Sequence, residues 1–242
     1  MPRYILAALA IDLTLGLANL VDLALGHPLA IVARLIDLDR ERALPTWYAS
    51  MQWFCVAALL WAFATRLISR RSVKSWLLLA LPAVYVMLSV DEVAQLHESL
   101  GTAMDGLLLQ QPREATSLTK TGFWFLFVGI PFVVAFVILV AALRPYLRLF
   151  PGPFLRLVIG TAVFLVGAIG LEGLSNLVVP GSPLDTLQVV LEEVFELVGA
   201  TVVLWASYDL VQATKTQHPT PAQPAALRVL ADELPGPSDP GG

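Results

Sequence analysis

Asp91, Glu92, His97 and Glu98 in SVDEVAQLHESL, Glu172 in GLEGLSN, and Glu192, Glu193 and Glu196 in VVLEEVFELVG stand inside or at the ends of strongly apolar segments. Ionisable groups are costly in hydrocarbon and turn toward a bundle interior, a cavity or a partner, so these eight side chains mark a site. So many carboxylates cannot all stay ionised at short range in a low-dielectric interior, because like charges repel and desolvation opposes charge. The set calls for protons or for a cation. Carboxylates with one histidine suit iron, manganese or zinc, whereas oxygen ligands alone suit calcium or magnesium. Soluble di-iron bundles carry Glu-x-x-His pairs. Here His97 adjoins Glu98 and follows Glu92 by five residues, so the likeness is one of ligand type. Three readings follow: a divalent metal site, a proton or cation pathway of a transporter or channel, and a structural subunit whose protonated acids bond across helices. In an enzyme the metal would activate water or oxygen, as in a hydrolase or oxidoreductase, with His97 as ligand or proton carrier.

The elements that must position these groups are membrane helices. The chain is 57% hydrophobic and 14% charged, against roughly 45–50% and 25% in soluble domains. Apolar stretches at about 4–25, 47–68, 76–99, 122–143, 154–178 and 186–209 approach the roughly 20 residues that a span requires. The fold class expected is all-α, a polytopic bundle of six transmembrane helices over residues 1–212. Residues 213–242, rich in Pro, Ala, Gln and Gly, read as a disordered cytoplasmic tail with a brief helix in AALRVLADEL. Asp12 inside the first stretch argues for a retained helix and against a cleaved signal. The lone Cys55 excludes an internal disulfide. The absence of a basic stripe argues against nucleic acid. The sequence shows no Gly-rich phosphate loop, serine-hydrolase elbow, Cys-x-x-Cys pair or internal repeat.

Orientation follows from the loop arginines and lysines. Arg66, Arg70, Arg71, Lys74, Arg144, Arg148 and Arg156 fall on one side; Arg34, Arg40, Arg42, Arg113 and Lys120 fall on the other. Both termini are then cytoplasmic. From Trp76 to Asp91 a helix rises about 22 Å, short of a hydrocarbon core of about 30 Å, so that acidic motif begins in the outer leaflet. Glu172 lies about 27 Å beyond Phe154, and Glu192 to Glu196 lie about 9 to 15 Å below the outer surface. Alternating helix directions gather the acids in one slab whichever face is outer. Asn19 and Asp22 approach the same end, with Asp12 nearer the other.

On straight helices Asp91, Gln95 and Glu98 share a face within about 60°, with Glu92 and His97 pointing away to either side. Glu192 and Glu196 form an i, i+4 pair that Gly199 extends, and the glycine would let another helix or a ligand come close. Glu172 and Asn176 form another pair, with Gly170 and Gly173 nearby. The expected centre is therefore Asp91, Glu98, Glu172, Glu192 and Glu196.

Pro45, Trp47 and Tyr48 suit a helix start at an aromatic belt. The preceding AIVARLIDLDRERAL suits a short amphipathic connector, which would lid the acids or pair them with Arg34, Arg40 or Arg42. Together LDRERALPTWYAS, SVDEVAQLHESL, GLEGL and LEEVFELVGATVVLWA resemble a widespread group of bacterial six-helix membrane proteins, over roughly residues 35–210. The resemblance implies a multi-pass protein of the bacterial cytoplasmic membrane and implies no reaction. The motifs differ from those of membrane ceramidase-like hydrolases, which use several histidines with serine and aspartate. The expected partners are the lipid bilayer and a small molecule or ion in an outer-leaflet cavity.

Overall fold

A computed structural model describes residues 1–40, 42–68, 73–109, 118 and 120–216. The described residues form helices and connecting turns, with no strand. The α-helices are α1 (Arg3–Ala24), α2 (Ala30–Ile36), α3 (Leu44–Leu67), α4 (Val73–Trp76), α5 (Ala80–Ala94), α6 (Leu96–Leu109), α7 (Ile130–Leu147), α8 (Pro151–Leu165), α9 (Glu172–Ser175) and α10 (Pro183–Thr216). A 3-10 turn at Leu77–Leu79 joins α4 to α5, and π-helical turns at Phe125–Gly129 and Val166–Leu171 lead into α7 and α9. Among the described residues, five stretches are long and apolar enough to cross a membrane: Arg3–Ala24, Leu44–Leu67, Lys74–Ala94, Phe125–Leu147 and Pro151–Ser175. Their outward faces are apolar, as Leu13 and Leu17 of α1, Phe54 and Trp61 of α3, and Val137 and Ile138 of α7 illustrate. Apolar surface this extensive suits lipid rather than water. These are the helices of a multi-pass membrane protein.

The 34-residue α10 is the axis, packing on α8, α3 and α1. Glycine makes its contact with α8 close: a Cβ built on Gly199 would stand 2.5 Å from the Phe164 amide nitrogen. The helix that the Gly199 spacing admits is thus α8. Trp53, Val56, Leu60 and Phe63 of α3 pack with Tyr85, Leu143, Leu147, Leu157 and Val203 in the main core. Within it, Trp53 stacks on Tyr85 at 5.5 Å and meets Phe164 edge-on at 4.9 Å. The buried face of α1 is largely polar. Asp12 accepts hydrogen bonds from Thr201 at 2.7 Å and Gln52 at 3.3 Å, tying α1 to α10 and α3. Asn19 donates to the Ile36 carbonyl at 3.3 Å and Asp22 pairs with His27 at 2.7 Å. These α1 side chains anchor the helix and its connector.

The stretch expected as one helix over 76–99 is broken. Gln95 adopts φ 49° and ψ 47°, and its N–H closes the α5 turn on the Asp91 carbonyl at 2.7 Å. A left-handed residue ends a helix in this way, and the chain leaves in a new direction as α6. The projection of Asp91, Gln95 and Glu98 onto one straight face therefore does not hold. Other ends shift by a few residues. Pro45 sits in the first turn of α3, which starts at Leu44 rather than at 47. The stretch expected at 122–143 runs from Phe125 to Leu147. The connector helix is limited to α2, and α10 extends to Thr216, beyond the expected 186–209 and into the expected tail. The rest of that tail, with Glu41, Arg70, Arg71 and Arg113, lies outside the described residues.

Candidate functional site

The break at Gln95 turns the chain so that His97 folds back onto Asp91. One Asp91 oxygen accepts the His97 backbone N–H at 2.9 Å, capping the first turn of α6, and the other accepts Nδ1–H of the imidazole at 2.6 Å. The ring rests on Trp124, centroids 4.6 Å apart. Trp124 is buried and donates from Nε1 to Glu172 Oε1 at 2.6 Å. On the far side Trp53 donates from Nε1 to Glu92 Oε1 at 3.3 Å. Two indoles thus fix two of the carboxylates in direction.

All eight acidic and histidine positions line one cavity of about 630 Å³. That volume lies inside the roughly 300–1,000 Å³ range of small-molecule sites. Asp91 and Glu92 come from α5, His97 and Glu98 from α6, Glu172 from α9, and Glu192, Glu193 and Glu196 from α10. Both Glu92 and His97 face the cavity: Glu92 does so from the regular part of α5, and His97 because the chain turns at Gln95. Two members of the expected centre are differently engaged. Asp91 has both oxygens committed to His97, and Glu98 is exposed at the rim, where it accepts a hydrogen bond from Gln95 at 3.0 Å. Asn176 is a clasp for the Lys120–Thr121 turn, accepting both backbone N–H groups at 3.1 and 3.4 Å, and does not extend a stripe from Glu172. A Cβ on Gly170 would meet only Cγ1 of Val166, at 4.0 Å, and one on Gly173 nothing within 4 Å. Gly167, by contrast, would place a Cβ 2.8 Å from the Glu192 carbonyl oxygen and from Cγ of Glu196, so the second π-helical turn lies against the acidic stretch of α10.

Spacing alone does not single out Gln188, though it stands one turn before Glu192 on the same stripe. Its Nε2 donates to the Leu171 carbonyl at 3.1 Å and to Glu192, and the carbonyl contact fixes which amide atom is nitrogen. Oε1 is left buried without a partner, on a side chain 7% exposed that lines the cavity. Trp124 carries no positional signal in the sequence, being one aromatic among FWFLF. At the mouth Lys120 pairs with Asp185, whose other oxygen accepts the Gly181 N–H at 2.7 Å. These bonds hold the Asp185 carboxyl below its usual range. The opposite wall is apolar, formed by Met87, Leu88, Val128, Phe132, Leu165 and Ile169.

Burial opposes the charged form of His97, but the Asp91 hydrogen bond and charge, with Glu172 and Glu98, outweigh it and raise the imidazole above its ordinary value. Among the described residues no group of three or more His, Cys, Asp or Glu side chains converges closely enough to hold a metal ion.

A family model described as "Domain of unknown function (DUF8692)" matches residues 4–211. The chain belongs to this family. The DUF8692 match takes in all five apolar spans and the acidic stretch of α10. Neither the comparison with curated proteins nor that with solved structures finds a match.

Proposed function

We propose that this protein is a six-helix membrane protein, α10 being the sixth span and both termini cytoplasmic, that binds a cation in a cavity open to the outer side. The carboxyls carry the reading: nine of them line the cavity against Arg40 and Lys120, and so many acids at short range in a low-dielectric interior call for positive charge. Gln188 holds one of them, Glu192, in place. A ligand that supplies positive charge and several N–H donors to carboxyls has the chemistry of a protonated amine. The cavity is also far larger than a metal ion requires, at about 630 Å³.

A divalent metal (iron, manganese or zinc) is the second reading. It is favoured by the His97–Asp91 pair, because ligating histidines commonly donate their other ring N–H to a carboxylate. A continuous ion path is less well supported. Trp53, Tyr85 and Phe164 pack ring to ring between the cavity and the inner half of the bundle.

Tryptophan fluorescence of the intact protein in nanodiscs, titrated with n-butylammonium, tests the amine. Wild type saturates, and Glu196→Gln and Gln188→Leu each weaken binding about tenfold or more, the equivalent of 1.4 kcal/mol. Metal stoichiometric in chelator-free wild type, and lost in Glu196→Gln, decides for the metal instead. Protein that binds neither is not a cation-binding protein.

A further inference from the structure

The acids of the cavity are spread through it rather than gathered at one point. Along α10 they run from Asp185 at the mouth to Glu196, a distance of about 16 Å by helical rise. Glu192 and Glu193 stand about 100° apart on that helix, and Glu196 lies between them in direction, one turn deeper than Glu192. Of the neighbouring charges, Glu172 bears most strongly on Glu192, and Glu92 on Glu193. Glu172 and Glu92 are themselves fixed in direction by the indoles of Trp124 and Trp53. The carboxyls thus form two outer stations, Glu172 with Glu192 and Glu92 with Glu193, on either side of Glu196.

These stations call for positive charge at separate points. The basic residues that line the cavity are Arg40, His97 and Lys120, against nine carboxyls, and His97 and Lys120 are engaged with Asp91 and Asp185. No hydrogen bond from a described residue reaches the carboxyl of Glu193 or Glu196. Among the described residues no three acids converge as a metal ion requires. A cation concentrated at one point meets one station and leaves the repulsion at the other in place. The wall that faces the acids is apolar, with Leu88, Phe132 and Leu165 among its residues. Methylenes lose contact with water against such a wall.

We infer that the ligand is a linear polyamine, ammonium groups joined by short methylene chains, taken through the mouth from the aqueous side. This rests on the cation site proposed above. One ammonium meets Glu196, the others meet the outer stations, and the methylenes between them face Leu88, Phe132 and Leu165. Once the first ammonium is bound, the next is held near its station at high effective concentration, so each further charge multiplies the affinity.

The experiment titrates the full chain in nanodiscs with n-butylammonium, 1,4-diaminobutane and spermidine at constant ionic strength, read by tryptophan fluorescence. Wild type gains about tenfold or more in affinity at each added ammonium. Glu92→Gln and Glu172→Gln each remove the charge of one outer station and keep an oxygen that accepts from Trp53 or Trp124. Both retain butylammonium binding, as evidence of their fold, and bind spermidine about tenfold more weakly than wild type. Asp37→Asn, which removes the same charge outside the cavity, leaves all three affinities unchanged. Equal affinity for the three amines, with butylammonium still bound, overturns the inference and leaves a site for a single ammonium. A gain that Glu92→Gln and Glu172→Gln leave intact, or that Asp37→Asn reduces as much, overturns it as well, because the amines are then drawn to acidic surface in general. Failure of wild type to bind any of the three removes the underlying site and this inference with it.

Discussion

At the scale of single residues the arrangement turns on Asp91, which serves as both helix cap and partner to an imidazole. Because the folded-state value of His97 is raised, the stabilisation from this pair is complete below the unfolded value of about 6.5 and is lost as pH rises through the folded value. In an NMR titration of histidine-labelled protein, His97 should therefore change protonation above the ordinary histidine range. Asp91→Asn should bring it below that range, since burial then acts without its largest opponent. An unchanged midpoint in Asp91→Asn would show that Asp91 does not hold the proton on His97. The residue types were readable in the sequence, since acids in apolar runs announce themselves. Their individual directions were not. His97 reaches the cavity through a left-handed residue that is neither glycine nor asparagine, and Asp91 secures that turn with bonds that no local pattern encodes.

At the scale of elements, the acids sit where they do because α8 and α10 meet backbone to backbone. Gly199→Ala puts a methyl 2.5 Å from the Phe164 nitrogen, and overpacking of this kind typically costs about 1–3 kcal/mol. Gly173→Ala meets nothing within 4 Å and should leave stability unchanged. Thermal unfolding in detergent should thus show a lowered midpoint for the first variant and the wild-type midpoint for the second; equal midpoints would refute the close approach. Span positions were readable to within a few residues from apolar runs and from Pro45. The π-helical turns were not, because Phe125–Gly129 and Val166–Leu171 carry the same apolar residues as the regular helix on either side. Tertiary contact, rather than composition, sets them.

At the scale of the whole molecule, the slab in which the acids meet follows from alternating helix directions, and so was readable without knowing which side is out. Which side it is rests on lysines and arginines. At the end opposite the cavity mouth, Arg66 donates to the Val211 carbonyl at 3.0 Å, and Arg156 pairs with Asp209 at 2.5 Å while lying 4.6 Å over the Trp205 ring. With that end cytoplasmic, a single cysteine placed at Gly181 in a Cys55→Ser background should react with an impermeant maleimide on intact cells, and one placed at Lys215 should react only after lysis. The reverse pattern would invert the orientation. The volume and two-sided chemistry of the cavity needed the structure, since its acids come chiefly from α5, α6, α9 and α10 while its apolar wall draws on α5, α7, α8 and the π-helical turns.

The cation site itself is tested most directly by adding an anionic control to the butylammonium titration, n-butanesulfonate, which has the same chain and opposite charge. Saturable tryptophan quenching by the ammonium alone, weakened in Gln188→Leu and Glu196→Gln, is the expected result. Equal responses to both compounds, or a response to the ammonium that neither substitution alters, would contradict a cavity built to hold positive charge.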